Sequence, residues 1–186
     1  MHAFLSLAAL ALSVQTDPTP PRHFLGDTPF SFESAGELRQ IRSQSVARPE
    51  DWLIKATDWE VDADSVYVAA SIFEGRQGTQ MNRDFLKKAV DEFVQGMESG
   101  KDKAEDLVKE PVEIDDQIAQ RASYRVGKGS DGFFVQSLFL TSGTNLYSVV
   151  AVYFEESGKS AEAAKKVVDS VRFKKPLESQ LSGISR

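Results

Sequence analysis

Between residues 118 and 173, three stretches of alternating apolar residues are separated by glycine-containing turns and followed by a helical pattern closing on Ser170-Val171-Arg172-Phe173. Successive strand side chains point to opposite faces, so Ile118, Ala122, Tyr124 and Val126 fall on one face and Ala119, Arg121, Ser123 and Arg125 on the other. The turns Gly127-Lys128-Gly129-Ser130-Asp131-Gly132 and Ser142-Gly143-Thr144-Asn145 are hairpin length, which makes the three strands an antiparallel meander. The last two strands are apolar on both faces, as Phe133, Val135 and Phe139 against Phe134, Leu138 and Leu140 show. Strands of that kind are covered on two sides. Ser160 is expected to cap a helix whose Ala163, Ala164, Val167, Val168 and Val171 form one stripe suited to packing on a sheet. The predicted class is α+β: an antiparallel β-sheet meander flanked by helices, in an α/β/α sandwich.

Upstream, Phe30 and Phe32 alternate with Ser31 and Glu33, a brief strand signal. Ser34 and Glu37 have capping-box spacing and predict a short helix through about Ser43, with Gly36 weakening its first turn. Pro49 ends that element, and Trp52 and Trp59 are read as packing residues. Residues 65–73, rich in β-branched and aromatic side chains, predict a central strand. Asn82 is placed as the N-cap of a helix carrying Phe85, Leu86, Ala89, Val90, Phe93, Val94 and Met97. Residues 101–110, with only Leu107 and Val108 as large apolar residues, are read as a solvated connector in short-helix form.

The apolar run from Phe4 to Val14 is the length of a signal-peptide core and too short to span a bilayer. It is read as an export signal cut ahead of Val14, with a cut after Ala11 as the alternative. The expected organisation is a signal peptide at 1–13, a proline-rich linker at 14–29, one α+β domain at 30–175 and a flexible tail at 176–186. The expected location is secreted or periplasmic, without stable membrane insertion. Absence of cysteine removes disulfides, thiolate zinc sites and cysteine nucleophiles, leaving the core alone to stabilise the fold. Ten of the carboxylates lie in residues 91–116 against three lysines, so the net charge of -6 is a local property. No basic stripe exists to neutralise phosphates, which disfavours nucleic acid as a partner.

The order of glycine turn, strand, Asn145-Leu146-Tyr147 opening a further strand, helix, and terminal Asp169-Ser170-Val171-Arg172-Phe173 resembles the PsbP/Mog-like superfamily over roughly residues 50–173. The resemblance implies an antiparallel sheet between helices and a mostly non-enzymatic family. Its members include extrinsic photosystem II subunits, a Ran-binding nuclear protein and exported bacterial proteins of unknown role. The expected export signal disfavours the nuclear role, and its uncharged start disfavours a plastid transit peptide. An exported bacterial member is the implied reading.

The loop 75–83 joins a strand to a helix N-terminus, and Arg76, Asn82 and Arg83 on it are the candidate anion- or ligand-binding residues. Asp62, Asp64, Glu113, Asp115 and Asp116 lack the order of a calcium loop and are read as turn and cap residues. His23 lies in the expected linker, away from any rigid site. No metal, cofactor or catalytic residue is assigned. The expected function is an exported accessory or binding protein acting through a sheet face or loops, its partner an envelope or secreted protein. The alternative is a carboxylate-dependent hydrolase or other enzyme. Two close carboxyls with raised pKa in a pocket would favour the enzyme, and exposed aromatics on a sheet face would favour a partner protein.

Overall fold

The computed structural model describes residues 19–45, 52–63, 65–98, 103–127, 132–154 and 158–174. The expected signal peptide and tail lie outside these residues. Seven strands form one antiparallel sheet: β3 (Arg39–Ser45), β4 (Leu53–Ala63), β5 (Val66–Gly75), β6 (Ala104–Ile114), β7 (Gln117–Val126), β8 (Phe133–Ser142) and β9 (Asn145–Tyr153). Their spatial order is β3-β4-β5-β9-β8-β7-β6. A second sheet joins β1 (Arg22–Phe24), β2 (Phe30–Glu33) and β10 (Arg172–Phe173), with β2 in the middle. Among the described residues there are two helices, α1 (Arg83–Met97) and α2 (Lys159–Asp169).

The predicted meander is β7-β8-β9, and β5 lies inside the sheet beside β9. Alternation sorts each central strand between two cores. Val149 and Ala151 of β9 enter a cluster with Phe30, Phe32, Val68, Leu138 and the α2 stripe. Leu146 and Val150 enter the other, with Ala122, Tyr124, Val135, Phe139 and α1 residues Leu86, Val90 and Val94. Val150 is 6% exposed, the burial that the sequence register requires. The α+β class and antiparallel sheet therefore hold, but the sheet dominates and each helix covers only part of a face. On the α2 side, the small sheet supplies the remaining cover: Phe30 stacks on Tyr147 at 5.3 Å between ring centroids, and Phe173 meets Tyr147 edge-on at 5.3 Å.

Several sequence expectations change. The helix expected from Ser34 to Ser43 is instead a turn and the edge strand β3. Gly36 has φ +98, and a Cβ there would stand 2.8 Å from the Asp62 carbonyl oxygen, so the chain bends where a helix would have begun. Arg42 Nε then donates to Asp58 at 2.6 Å and Arg39 to Glu60 at 3.0 Å across the β3–β4 pair. Residues 104–110, read within a helical connector, begin β6, the opposite edge strand. Edge strands carry few buried side chains, which explains the weak apolar pattern; Val108 is 60% exposed. Ser160 does not cap α2: Gly158 is the N-cap, and Ser160 is buried within the first turn. Residues 22–24, inside the stretch expected to be linker, form β1, and the neighbouring Leu25 is fully buried.

The Asp115-Asp116 pair closes the β6–β7 hairpin with φ of 48° and 66°, the left-handed turn conformation that favours short polar side chains. Asp115 accepts from the Phe173 backbone N–H at 2.8 Å and pairs with Lys174 at 2.8 Å, tying β10 to the main sheet.

Candidate functional site

The loop 75–83 is built around a glycine that cannot be replaced without movement. A Cβ on Gly75 would meet the Thr144 carbonyl oxygen at 2.5 Å, the Met81 methyl carbon at 2.9 Å and the Trp52 ring at 3.1 Å. The close approach lets Gly75 N–H donate to Thr144 at 2.9 Å and Arg76 N–H donate to the Trp52 carbonyl at 2.8 Å. Trp52 is thereby fixed at the start of β4. The loop ends on Asn82, whose side-chain oxygen accepts from the Phe85 N–H at 2.9 Å as the predicted N-cap.

α1 then presents two neighbouring lines of apolar residues. Leu86, Val90 and Val94, spaced by four, are buried on the sheet. Phe85, Ala89, Phe93 and Met97 stand one residue away, about 100° around the helix, and are only half-buried. α1 packs over β6, β7 and β8, so this second line faces the strip of sheet that the helix leaves uncovered. Between them lies a groove of about 630 Å³. Trp52 meets Phe85 edge-on with centroids 5.0 Å apart, and Phe93 meets Phe139 in the same way at 5.0 Å. Phe73 and Leu146 add to the sheet wall, Thr79 of the loop to the lining, and Lys88 and Glu92 to the helix side. Lys88 and Glu92 are 3.7 Å apart, an exposed i,i+4 pair of small energetic weight.

The three residues singled out from sequence do not share a cavity. Arg83 lines a separate recess of about 230 Å³ beside Glu113 and Gln120, and neither Arg76 nor Asn82 lines it. Asn82 commits its carbonyl oxygen to the helix cap. Of the loop, Thr79 lines the groove, and Trp52, hydrogen-bonded to the loop through its carbonyl, lines it beside Phe85. From sequence Trp52 reads as a packing residue, and Phe85 and Phe93 as part of the apolar stripe of α1. The signal that could have marked them is the width of the α1 stripe, which is broader than one helix can bury on a sheet that also binds a second helix on its other face.

Three carboxyl groups, Asp115, Asp169 and Glu98, lie below their ordinary values. Asp115 lies below its ordinary value because Lys174 and the Phe173 N–H donate to it, despite its partial burial. Burial would raise Asp169, but hydrogen bonds from Lys165 and Arg121 outweigh it and the net shift is downward. Glu98 is lowered first by the Ala104 N–H and then by Lys103. Burial raises the Tyr124 phenol.

The chain matches no protein-family model and no curated protein. Among solved structures it is similar to cyanobacterial PsbP (CyanoP) from Synechocystis sp. PCC 6803, with a TM-score of 0.57 and 14% identity, covering 90% of this chain and 97% of that one. The fold is PsbP-like. A weaker likeness, TM-score 0.36 at 11% identity, covers 63% of this chain and 83% of a Pseudomonas aeruginosa protein of unknown function described as a putative regulator. At 14% identity the likeness to CyanoP speaks to the fold, and the site must be argued from its own residues.

Proposed function

We propose that this chain is an exported, non-enzymatic accessory or binding protein of the PsbP/Mog-like kind, and that it holds an envelope or secreted protein partner in the aromatic groove beside α1. The groove carries the reading: half-buried Trp52, Phe73, Phe85 and Phe93 present large, rigid apolar surface around a concave centre, the composition of interface hot spots. The PsbP-like fold is consistent with an accessory role. The carboxylate alternative draws no support from the resolved carboxyl shifts, which run downward, opposite to a general acid working near neutrality. The apolar run at Phe4–Val14 supports export.

Two measurements test the reading. A photo-crosslinking residue placed at Lys88 should trap one defined partner in the native host, whereas the same residue at Glu162 on α2, across the sheet, should not. Equal labelling from both positions, or a Lys88 product that survives Phe85→Asp, defeats the groove as the binding surface. Mass spectrometry of the native N-terminus should find a chain starting near Val14. An intact Met1 removes export.

A further inference from the structure

We propose that the free edge of β3 binds an extended, acidic segment of a partner protein by adding it to the sheet as a further strand. An edge strand presents a row of unpaired N–H and C=O groups, and natural sheets blunt such rows with proline, bulges, charge or cover. The two edges of the large sheet differ in this respect. β6 carries Pro111, which has no N–H to offer, and a register shift between Glu105 and Val108 with Asp106 at φ 53 inside it. β3 has seven residues, all exposed, with neither proline nor lysine, and among the described residues no element lies beyond it. Its irregularity is confined to Ile41, which leaves Arg42 to Ser45 in regular register with β4. In an antiparallel pair alternate residues turn both backbone groups away from the neighbour, so β3 offers donors and acceptors to an added chain. None of its residues lines the aromatic groove.

The bulge also decides which segment fits. Arg39 stands opposite Glu60 and Arg42 opposite Asp58, so the extra residue Ile41 sets two arginines, three positions apart, on one face of the sheet. Both side chains are more than half exposed, at 58% and 59%, while each contacts its carboxylate on β4. Charge on that face therefore alternates from strand to strand. A carboxylate on an added strand would lie one strand spacing, about 5 Å, from the arginines and two spacings, about 10 Å, from Asp58 and Glu60, so attraction exceeds repulsion. A basic segment would meet like charge. A second copy of β3 is the poorer occupant, because full antiparallel overlap of the seven residues centres on Arg42 and sets it against Arg42 of the other copy. The β6 strand of another copy has acidic side chains but, with Pro111 and its bulge, no unbroken row of donors.

The test uses the purified full chain and a fluorescent peptide, Thr-Glu-Val-Glu-Val-Glu-Thr with blocked ends, beside its lysine-for-glutamate and backbone N-methylated counterparts. The glutamate peptide should bind saturably by fluorescence anisotropy and slow amide hydrogen exchange in β3 while leaving β6 unchanged. The lysine peptide should bind about tenfold more weakly, as two cross-strand pairs of reversed sign require. The N-methylated peptide should not bind, because main-chain hydrogen bonds supply the affinity. Arg39→Gln together with Arg42→Gln, exposed changes checked by circular dichroism, should remove the preference for glutamate over lysine. Phe85→Asp in the aromatic groove should leave the peptide affinity as it is, which separates this surface from the groove. No binding at millimolar peptide, equal binding of the N-methylated form, or a preference for lysine in the wild-type chain overturns the proposal. So does a stable dimer in sedimentation whose β3 amides are already protected, which would assign the edge to a second copy.

Discussion

The two faces of the seven-stranded sheet use the same strands differently. On the α2 face, Phe30, Phe32, Val61, Val68, Val149 and Val171 are fully buried, because β1, β2 and β10 extend the cover beyond the helix. On the α1 face a single helix covers β6, β7 and β8, and the aromatic residues at its flank remain half-buried. The first face contains a closed core that specifies the fold. The second has a similar apolar supply with less cover, and the surplus becomes a groove.

Substitutions can break or sharpen that contrast. The largest effect is expected from Val149→Asp, which leaves an unpaired charge in the closed core at a cost of several kcal/mol, comparable with the whole stability of a domain. Circular dichroism should report an unfolded chain, whereas Phe85→Asp on the groove should stay folded. A folded Val149→Asp protein would remove the distinction between the faces. Phe30→Ala should cost about 3–5 kcal/mol in urea unfolding, against no more than about 1.5 kcal/mol for the half-buried Phe85→Ala. Equal losses would mean that the groove is part of the core.

Gly75→Ala comes next, at about 1–3 kcal/mol, because its Cβ would press on the Thr144 carbonyl and displace Trp52. Trp52 fluorescence should shift with it. An unchanged spectrum would separate the glycine from the groove. The pH dependence tests the other face. Asp115 and Asp169 have folded pKa values below the ordinary carboxylate value of about 4, so their stabilisation is complete above that value and is lost as pH falls through the depressed ones. Asp115→Asn should therefore flatten the fall in stability between about pH 5 and pH 2, measured by urea titration. A slope identical to wild type would show that Asp115 does not anchor β10. The smallest effect concerns Arg76, Asn82 and Arg83: phosphate at its dissociation constant should add about 0.4 kcal/mol, lost in the double variant Arg76→Ala, Arg83→Ala. No melting shift in wild type would remove that anion site.

The central strands and helix stripes were legible because their periodicity is dictated by burial. Val150, Tyr124 and Phe139 occupy the faces that alternation assigns them. Both edge strands were misread for one reason: β3 and β6 are largely exposed, so no burial pattern marks them and the Ser34–Glu37 spacing mimics a helix start. The Asn82 cap was visible because it is a local contact over three residues. The groove was not, because Trp52 and Phe93 are far apart in the chain and both look like core.

The sequence by itself determined the α+β class, the meander, both apolar helix faces and the position of the strand-to-helix loop, all of which follow from local hydrogen bonding and from residues that must leave water. Only the tertiary structure decided which strands form the edges, that a second small sheet closes one face, and which aromatic residues stay half-covered. Those outcomes depend on how much surface each element finds to pack against, a quantity set by the whole arrangement of the elements.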